Sequence, residues 1–323
     1  MLSFIIKRLL ISVPVLLILA TLTFSFMRII PGGPFDRDKV LPPDIKKNIE
    51  AKYNLDKPAF LNSQAFSEER WLETITETQY FYYLRDLLRG DLGPSYKYLG
   101  RSVTDIVVDS LPVSIELGVY AVFLAFLLGI PLGIVSAYKH NTWIDSTSMF
   151  FAISGVALPS FLIAAILVLI FSFYLKWLPV GLWEGGIEYK IMPTIALGLR
   201  PVAIIARLMR TSMLDVIKSD YVRTARAKGL SEAPVILKHV VKNSLIPVIT
   251  ISGPLIAGII TGSFIIEHVF AIPGMAKHFI QAVTNRDYTL IMGVTLVYAV
   301  LLILANIVVD VLYAVVDPRI KLS

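Results

Sequence analysis

Long apolar runs alternate with polar stretches along this chain, and the runs far exceed the length of a β-strand. Six of them match the roughly 20 residues that a helix needs to cross a bilayer. They are Leu9–Ile30, Val113–Tyr138, Met149–Leu175, Ile191–Met209, Leu245–Ile266 and Leu290–Val316. Their length excludes a soluble domain with six such helices in one core. Prolines punctuate the runs at 14, 131, 159, 193, 201, 247 and 254. Each removes an intrahelical hydrogen bond and kinks its helix. Glycines such as Gly118, Gly129, Gly133, Gly155, Gly253, Gly258 and Gly262 admit close helix approach, the last two at small-xxx-small spacing. The pattern predicts an all-α polytopic membrane protein whose spans bend.

The polar stretches set the organisation. Pro31-Gly-Gly-Pro34 ends the first run with backbone breakers. After it, Pro42-Pro43-Asp44 opens a predicted helix over Ile45–Tyr53, with Asp44 as a first-turn anion. A second helix is predicted over Glu68–Arg89, stopped by Gly90. Its aromatic cluster, Tyr80, Phe81, Tyr82 and Tyr83, suits packing onto a neighbour or a place at the bilayer interface. This insertion reads either as a helical cap over an outer mouth or as a surface for a delivered substrate. The expected organisation is a first span over 1–30, a small extracytoplasmic helical insertion over 31–112 and five further spans over 113–323. A polar cytoplasmic loop occupies 210–244.

Composition agrees with a membrane protein. The 323 residues are 56% hydrophobic and 17% charged, with a mean hydropathy of +0.71. No cysteine is present, so disulfides and thiolate metal sites are excluded. Lys7 and Arg8 precede an apolar run too long for a signal-peptide core, so this run is expected to stay as a span. With the N-terminus inside, cytoplasmic segments carry 13 basic residues, from Lys7, Arg8 and Lys139 through Arg207–Lys242 to Arg319 and Lys321. The short outer loops carry 4: Lys176, Lys190, Lys277 and Arg286. This bias sets both termini in the cytoplasm and accounts for most of the net charge of +6 without a nucleic-acid partner.

Ionisable residues within the spans are Glu116, Arg200 and Asp310, with Glu267 at an outer end. A charge at mid-bilayer costs about 2.5–3.5 kcal/mol on insertion scales, so each should face protein or water. They either line a polar passage or pair within the bundle. Their scatter disfavours a proton relay, and His140, His239, His268 and His278 have no metal-ligand spacing. Phosphate-binding G-x-x-x-x-G-K-[ST], H-E-x-x-H and G-x-S-x-G motifs are absent. An ATP-driven process would therefore need nucleotide held by another polypeptide.

The loop at 210–244 has its own pattern. Met213, Leu214, Ile217, Tyr221 and Ala225 recur at helical steps and are expected on one face, with Asp215, Lys218, Arg223 and Arg226 mostly off it. Gly229 stands where a helix would end in a left-handed turn. Ser231 is placed to cap a second helix, with Glu232 and Pro234 in its first turn and Ile236 and Val240 on its apolar face. A helix, a tight glycine turn and a helix make a compact knob. Such a knob suits a partner protein, and a basic hairpin lying on anionic lipid fits the same residues.

Asp220-Tyr-Val-Arg-Thr-Ala-Arg-Ala-Lys-Gly-Leu230, followed by Leu237-Lys-His239 and Leu245-Ile-Pro247, resembles the Glu-Ala-Ala-type loop of ATP-binding-cassette importer permeases. Arg8-Leu-Leu with Pro14, Pro31–Pro34, Asp91-Leu-Gly-Pro-Ser95, Leu158-Pro-Ser-Phe161, Arg207–Met213, Pro273-Gly274, Asn285-Arg-Asp-Tyr288 and Asp310–Pro318 extend the likeness along nearly the whole chain. Together they resemble the B-type permease subunit of oligopeptide and dipeptide importers. Two features depart from the general pattern: its Glu is Arg223 here, and its Leu-Pro is displaced toward Pro247. The stretch Leu61–Thr78 reads as longer than the usual outer loop.

The resemblance implies the six-helix type I importer permease fold in a bacterial inner membrane. It implies that Asp220, Tyr221, Arg223, Thr224, Ala225, Arg226, Ala227, Lys228, Gly229, Leu230 and Ser231 couple the chain to an ATPase. The implied partners are a homologous second permease, two cytoplasmic ATPases that hold ATP and magnesium, and an extracytoplasmic peptide-binding protein. The chain itself would carry no cofactor and no catalytic residue. A permease for nickel or another small solute in the same branch is the nearest alternative. A self-sufficient secondary transporter is a more distant one.

Overall fold

A computed structural model describes residues 2–35, 43–63, 70–98, 100–260 and 264–316. The helices in chain order are α1 (Leu2–Ile29), α2 (Pro43–Lys52), α3 (Trp71–Thr76), α4 (Gln79–Leu88) and α5 (Val103–Tyr138). Next come α6 (Trp143–Ala157) and α7 (Ser160–Leu167), the latter running on as wider π-helical turns over Val168–Tyr174. Then follow α8 (Glu188–Ile217), α9 (Asp220–Ala227) and α10 (Lys242–Ile260), with α10 preceded by Glu232–Pro234 and π-helical turns over Val235–Val241. The last are α11 (Phe264–Val269), α12 (Met275–Asn285) and α13 (Tyr288–Val316).

Among the described residues, five helices are long and apolar enough to cross a membrane, and a bent helix pair brings the number to six when it is counted as one broken span. The bent pair corrects the expectation of one span over Met149–Leu175. Trp143–Ala157 and Ser160–Tyr174 meet at 107°. Leu158 is extended and Pro159, which lacks an amide proton, stands as the N-cap of α7, so the ladder stops there. The second span begins at Val103 rather than Val113. A capping box sets that start: Asp105 N–H donates to Ser102 Oγ at 3.0 Å, and Ser102 N–H donates to an Asp105 carboxylate oxygen at 3.2 Å. Pro112 then lies inside the helix. The fifth span starts at Glu232 and ends at Ile260, earlier at both ends than Leu245–Ile266. Gly262 lies outside the described residues, as do residues 64–69 of the Leu61–Thr78 stretch.

The chain divides into two compact units: residues 1–9, 112–277 and 301–323 form one, and residues 10–111 and 278–300 the other. In the second unit, the outer helix expected over Glu68–Arg89 is broken, with α3 and α4 separated at Glu77-Thr78 and Thr78 Oγ accepting from Phe81 N–H. Its aromatic residues pack on α1. Phe24 meets Tyr80 edge-on at 5.3 Å and stacks on Tyr83 at 5.6 Å. Phe35, Tyr96 and Tyr288 form a buried cluster. Beside it, buried Asp287 accepts from Ser95 Oγ, from Tyr96 N–H at 3.2 Å and from Leu290 N–H at 3.3 Å. This joins Asp91–Ser95 to Asn285–Tyr288. Burial pushes the Tyr96 phenol up to about 12.

In the first unit, α6 packs closely on α8, where a Cβ at Gly155 would sit 2.8 Å from the Leu199 carbonyl oxygen. Gly133 lets α5 press on α8: a Cβ there would sit 2.6 Å from the Ala206 carbonyl oxygen. One cluster gathers Val202, Ile205, Met209, Met213, Val222, Val235, Ile236 and Val240, and another gathers Leu117, Ile163, Met192, Phe270 and Ile272.

Candidate functional site

The polar loop is a knob. Helix α8 stops at Ile217, Ser219 turns the chain with an extended backbone, and α9 begins at Asp220. This break resets the helical phase and corrects the expected face. Val222 and Ala225 point inward, at 0% and 7% exposure, whereas Tyr221 is 44% exposed. Val222 packs with Met209, Met213, Val235 and Val240, so the short helix is fixed to the ends of two spans. Asp220, Tyr221, Arg223, Thr224, Arg226, Ala227, Lys228, Gly229, Leu230 and Ser231 are exposed. Of the expected coupling residues, Ala225 alone is buried.

Gly229 takes φ +78°, and an added Cβ would meet nothing within 4 Å. The glycine is required by backbone conformation and not by space. Arg226 spans the turn, donating to the Glu232 carboxylate at 2.6 and 3.2 Å. Both side chains are well exposed, so this ion pair adds a few tenths of a kcal/mol and mainly fixes shape. Ser231 has the extended N-cap backbone but makes no side-chain cap bond, which corrects that expectation; Glu232 is engaged by Arg226 instead. The second leg is no separate short helix, because it continues into α10 as one stretch, Glu232–Ile259.

A polar cluster absent from the sequence-level reading sits at the root of the knob. Asp145, 4% exposed, accepts from Arg210 and Ser136 and from the Asn141 N–H at 3.0 Å. His140 Nδ1 lies 3.2 Å from the same carboxylate. One residue thereby ties the end of α5, the following turn, α6 and α8. An acidic residue two positions into a helix after the first basic loop was the available signal.

The ionisable residues in the spans and Glu267 beyond the fifth span differ in how they are satisfied. Glu116 accepts from Lys190, from Trp183 Nε1–H at 3.1 Å and from the Tyr120 hydroxyl at 3.0 Å. Asp310 pairs with Arg8 at 3.0 Å. Arg200 is exposed near the middle of α8, and no ion-pair partner for it falls among the described residues. It lines a cavity of about 680 Å³ between α8 and α10. Glu267 is fully buried; its Oε2 accepts from Ala276 N–H at 2.9 Å, while Oε1 has no hydrogen-bond partner among the described residues. Burial pushes its carboxyl up to about 7, against opposing bonds from Ser114 and the 276–277 backbone.

Residues 129–322 match the family described as "Binding-protein-dependent transport system inner membrane component", and residues 1–118 match the N-terminal family of the same systems. The chain is 46% identical to the oligopeptide transport system permease protein OppB of Haemophilus influenzae, over 99% of this chain and 100% of that one. It is 42% identical to the dipeptide transport system permease protein DppB of Bacillus subtilis, over 100% and 99%. Among solved structures, a chain of the MetNI methionine ABC transporter in an inward facing conformation aligns with a TM-score of 0.56 at 14% identity. The alignment covers 66% of this chain and 96% of that chain. This likeness establishes the fold as that of a type I importer permease.

Proposed function

The chain belongs to the family of binding-protein-dependent transport system inner membrane components, and from that premise we propose that it is a peptide-conducting permease subunit of an ATP-binding-cassette importer. The peptide class is supported by full-length likeness to oligopeptide and dipeptide permeases. In this reading the chain pairs with a homologous permease around the passage. A binding protein delivers peptide from outside, and two cytoplasmic ATPases grip one knob from each permease. Both termini lie in the cytoplasm.

One observation carries the coupling role. The Asp220–Ala227 helix is polar and exposed outward yet buried inward through Val222 and Ala225, against residues of α8 and of the Glu232–Ile259 stretch. A surface so anchored passes a displacement to the spans instead of yielding to it. Coupling is a difference in contact free energy between two states, so the ATPase must contact the knob differently before and after closure. Arg223, Lys228 and Tyr221 offer exposed cationic and aromatic contacts for that purpose. Arg226 keeps the turn in shape through Glu232.

Co-expression with the ATPases, second permease and binding protein, followed by reconstitution into vesicles, tests the reading. Stoichiometric co-purification and ATP-dependent peptide uptake are expected. The chain has no cysteine, so a single Lys228→Cys variant reports the side of the membrane on which the knob lies. Labelling from the outer side, or peptide uptake by the isolated chain without ATPases, would overturn the proposal.

A further inference from the structure

Two of the three intramembrane charges are satisfied inside this chain, Glu116 by Lys190 and Asp310 by Arg8. Arg200 differs from them. It stands exposed at mid-helix, and among the described residues it is the one charged side chain lining the cavity between α8 and α10. The walls are otherwise largely apolar, formed by Leu197, Ile204, Ile251 and Leu255, with the Ser160 hydroxyl as a second polar group and Gly258 leaving open space on the α10 side. Pro201 also lines the cavity and contributes no amide proton, so the Leu197 carbonyl on the same wall lacks its ordinary intrahelical donor. A guanidinium and a released carbonyl in an apolar groove complement a carboxylate and an amide N–H carried on an apolar chain.

We propose that Arg200 is a transient anchor for the C-terminal carboxylate of a peptide crossing the membrane. The inference rests on the peptide reading above and names the contact that substrate makes in the passage. A guanidinium holds carboxylate bidentately, while its exposure to the open cavity lets the peptide leave again. The released carbonyl favours a backbone N–H over any one side chain, so the site takes peptides by their shared chemistry and not by their sequence.

The test uses the complete reconstituted complex with one binding protein and two substrates, a short peptide of neutral side chains and its C-terminal amide. Arg200→Gln and Arg200→Met both remove the charge, and Met, being apolar, enters a span more readily than Arg. The amount of assembled complex is measured for each. The expected result is a free-acid uptake lowered about tenfold relative to the amide, each normalised to the unsubstituted complex, with Arg200→Lys, which keeps the charge but not the bidentate fork, falling between the neutral variants and the unsubstituted complex. Equal loss for both substrates would overturn the proposal, pointing to a carboxylate of the second permease as the partner of Arg200. Unchanged uptake of both would also overturn it. Failure of the unsubstituted complex to move either peptide would reject the peptide reading itself and this inference with it.

Discussion

Arg210 donates through Nε and one terminal nitrogen to the two carboxylate oxygens of Asp145, each at 2.8 Å. The residues lie 65 positions apart, and the carboxylate is almost wholly buried while the guanidinium is a quarter exposed. Removing one partner leaves the other charge poorly compensated. Asp145→Asn is therefore expected to lower stability by about 1.5–3 kcal/mol, read as the thermal unfolding midpoint of the purified complex. Combining it with Arg210→Gln should cost less than the sum of the two single changes. Strict additivity in that double-mutant cycle would show the pair to be energetically idle.

Gly229 makes a backbone prediction with a built-in control. Space is open around it, but φ is +78°. Gly229→Val is strained by about 1–2 kcal/mol in that conformation, whereas Asn tolerates it. Val is expected to leave membrane insertion intact and uncouple ATP hydrolysis from uptake, while Asn keeps the two linked. Equal coupling in both variants would show that the turn geometry is irrelevant.

Val222 and Tyr221 are sequence neighbours with opposite roles. Val222→Ala removes a fully buried side chain and should destabilise the protein by about 1–3 kcal/mol, measured by thermal unfolding. Tyr221→Ala should leave the unfolding midpoint nearly unchanged and weaken retention of the ATPase during purification. A reversed pattern would mean that α9 is rotated about its axis.

Glu267 predicts a pH dependence. In the unfolded chain its carboxyl ionises near 4.5, and in the native state near 7. Below 4.5 both states hold the proton. Between 4.5 and 7 the unfolded state releases it and the native state retains it, so stability falls as pH rises, by up to about 3 kcal/mol, and levels off above 7. Glu267→Gln should flatten the dependence of the unfolding midpoint between pH 5 and pH 8. A variant whose midpoint tracks that of the original protein would rule out Glu267 as the source.

The spans were legible because apolar length is a property of sequence alone. The knob was legible too, since Gly229 and the basic residues around it signal locally. Features set by tertiary packing were not. The phase of α9 depends on the break at Lys218-Ser219, where periodicity counted from Met213 assumes one continuous helix, and so Tyr221 and Val222 exchanged roles. The bend after Ala157 needed the knowledge that Pro159 would reorient the chain by 107° and not merely kink it. The start of α5 at Val103 is signalled by Ser102-Val-Thr-Asp105, a capping box, but Pro112 ten residues later reads as the boundary because proline inside a helix is locally disfavoured. Asp145 and Asp287 gather partners from distant segments, which local reading does not assemble.

The stretch from Glu232 to Ile259 is one helical rod with the glycine turn at its base and Gly258 near its far end. At about 1.5 Å per residue it is roughly 40 Å long. Leverage follows: a tilt of about 5° applied at the glycine-turn end, by an ATPase gripping it as proposed, would swing the cavity end by about 3.5 Å, comparable to the width of a peptide backbone. Gate opening at the far end would then need no unfolding and no relay of side chains, only a displacement carried along one continuous helix.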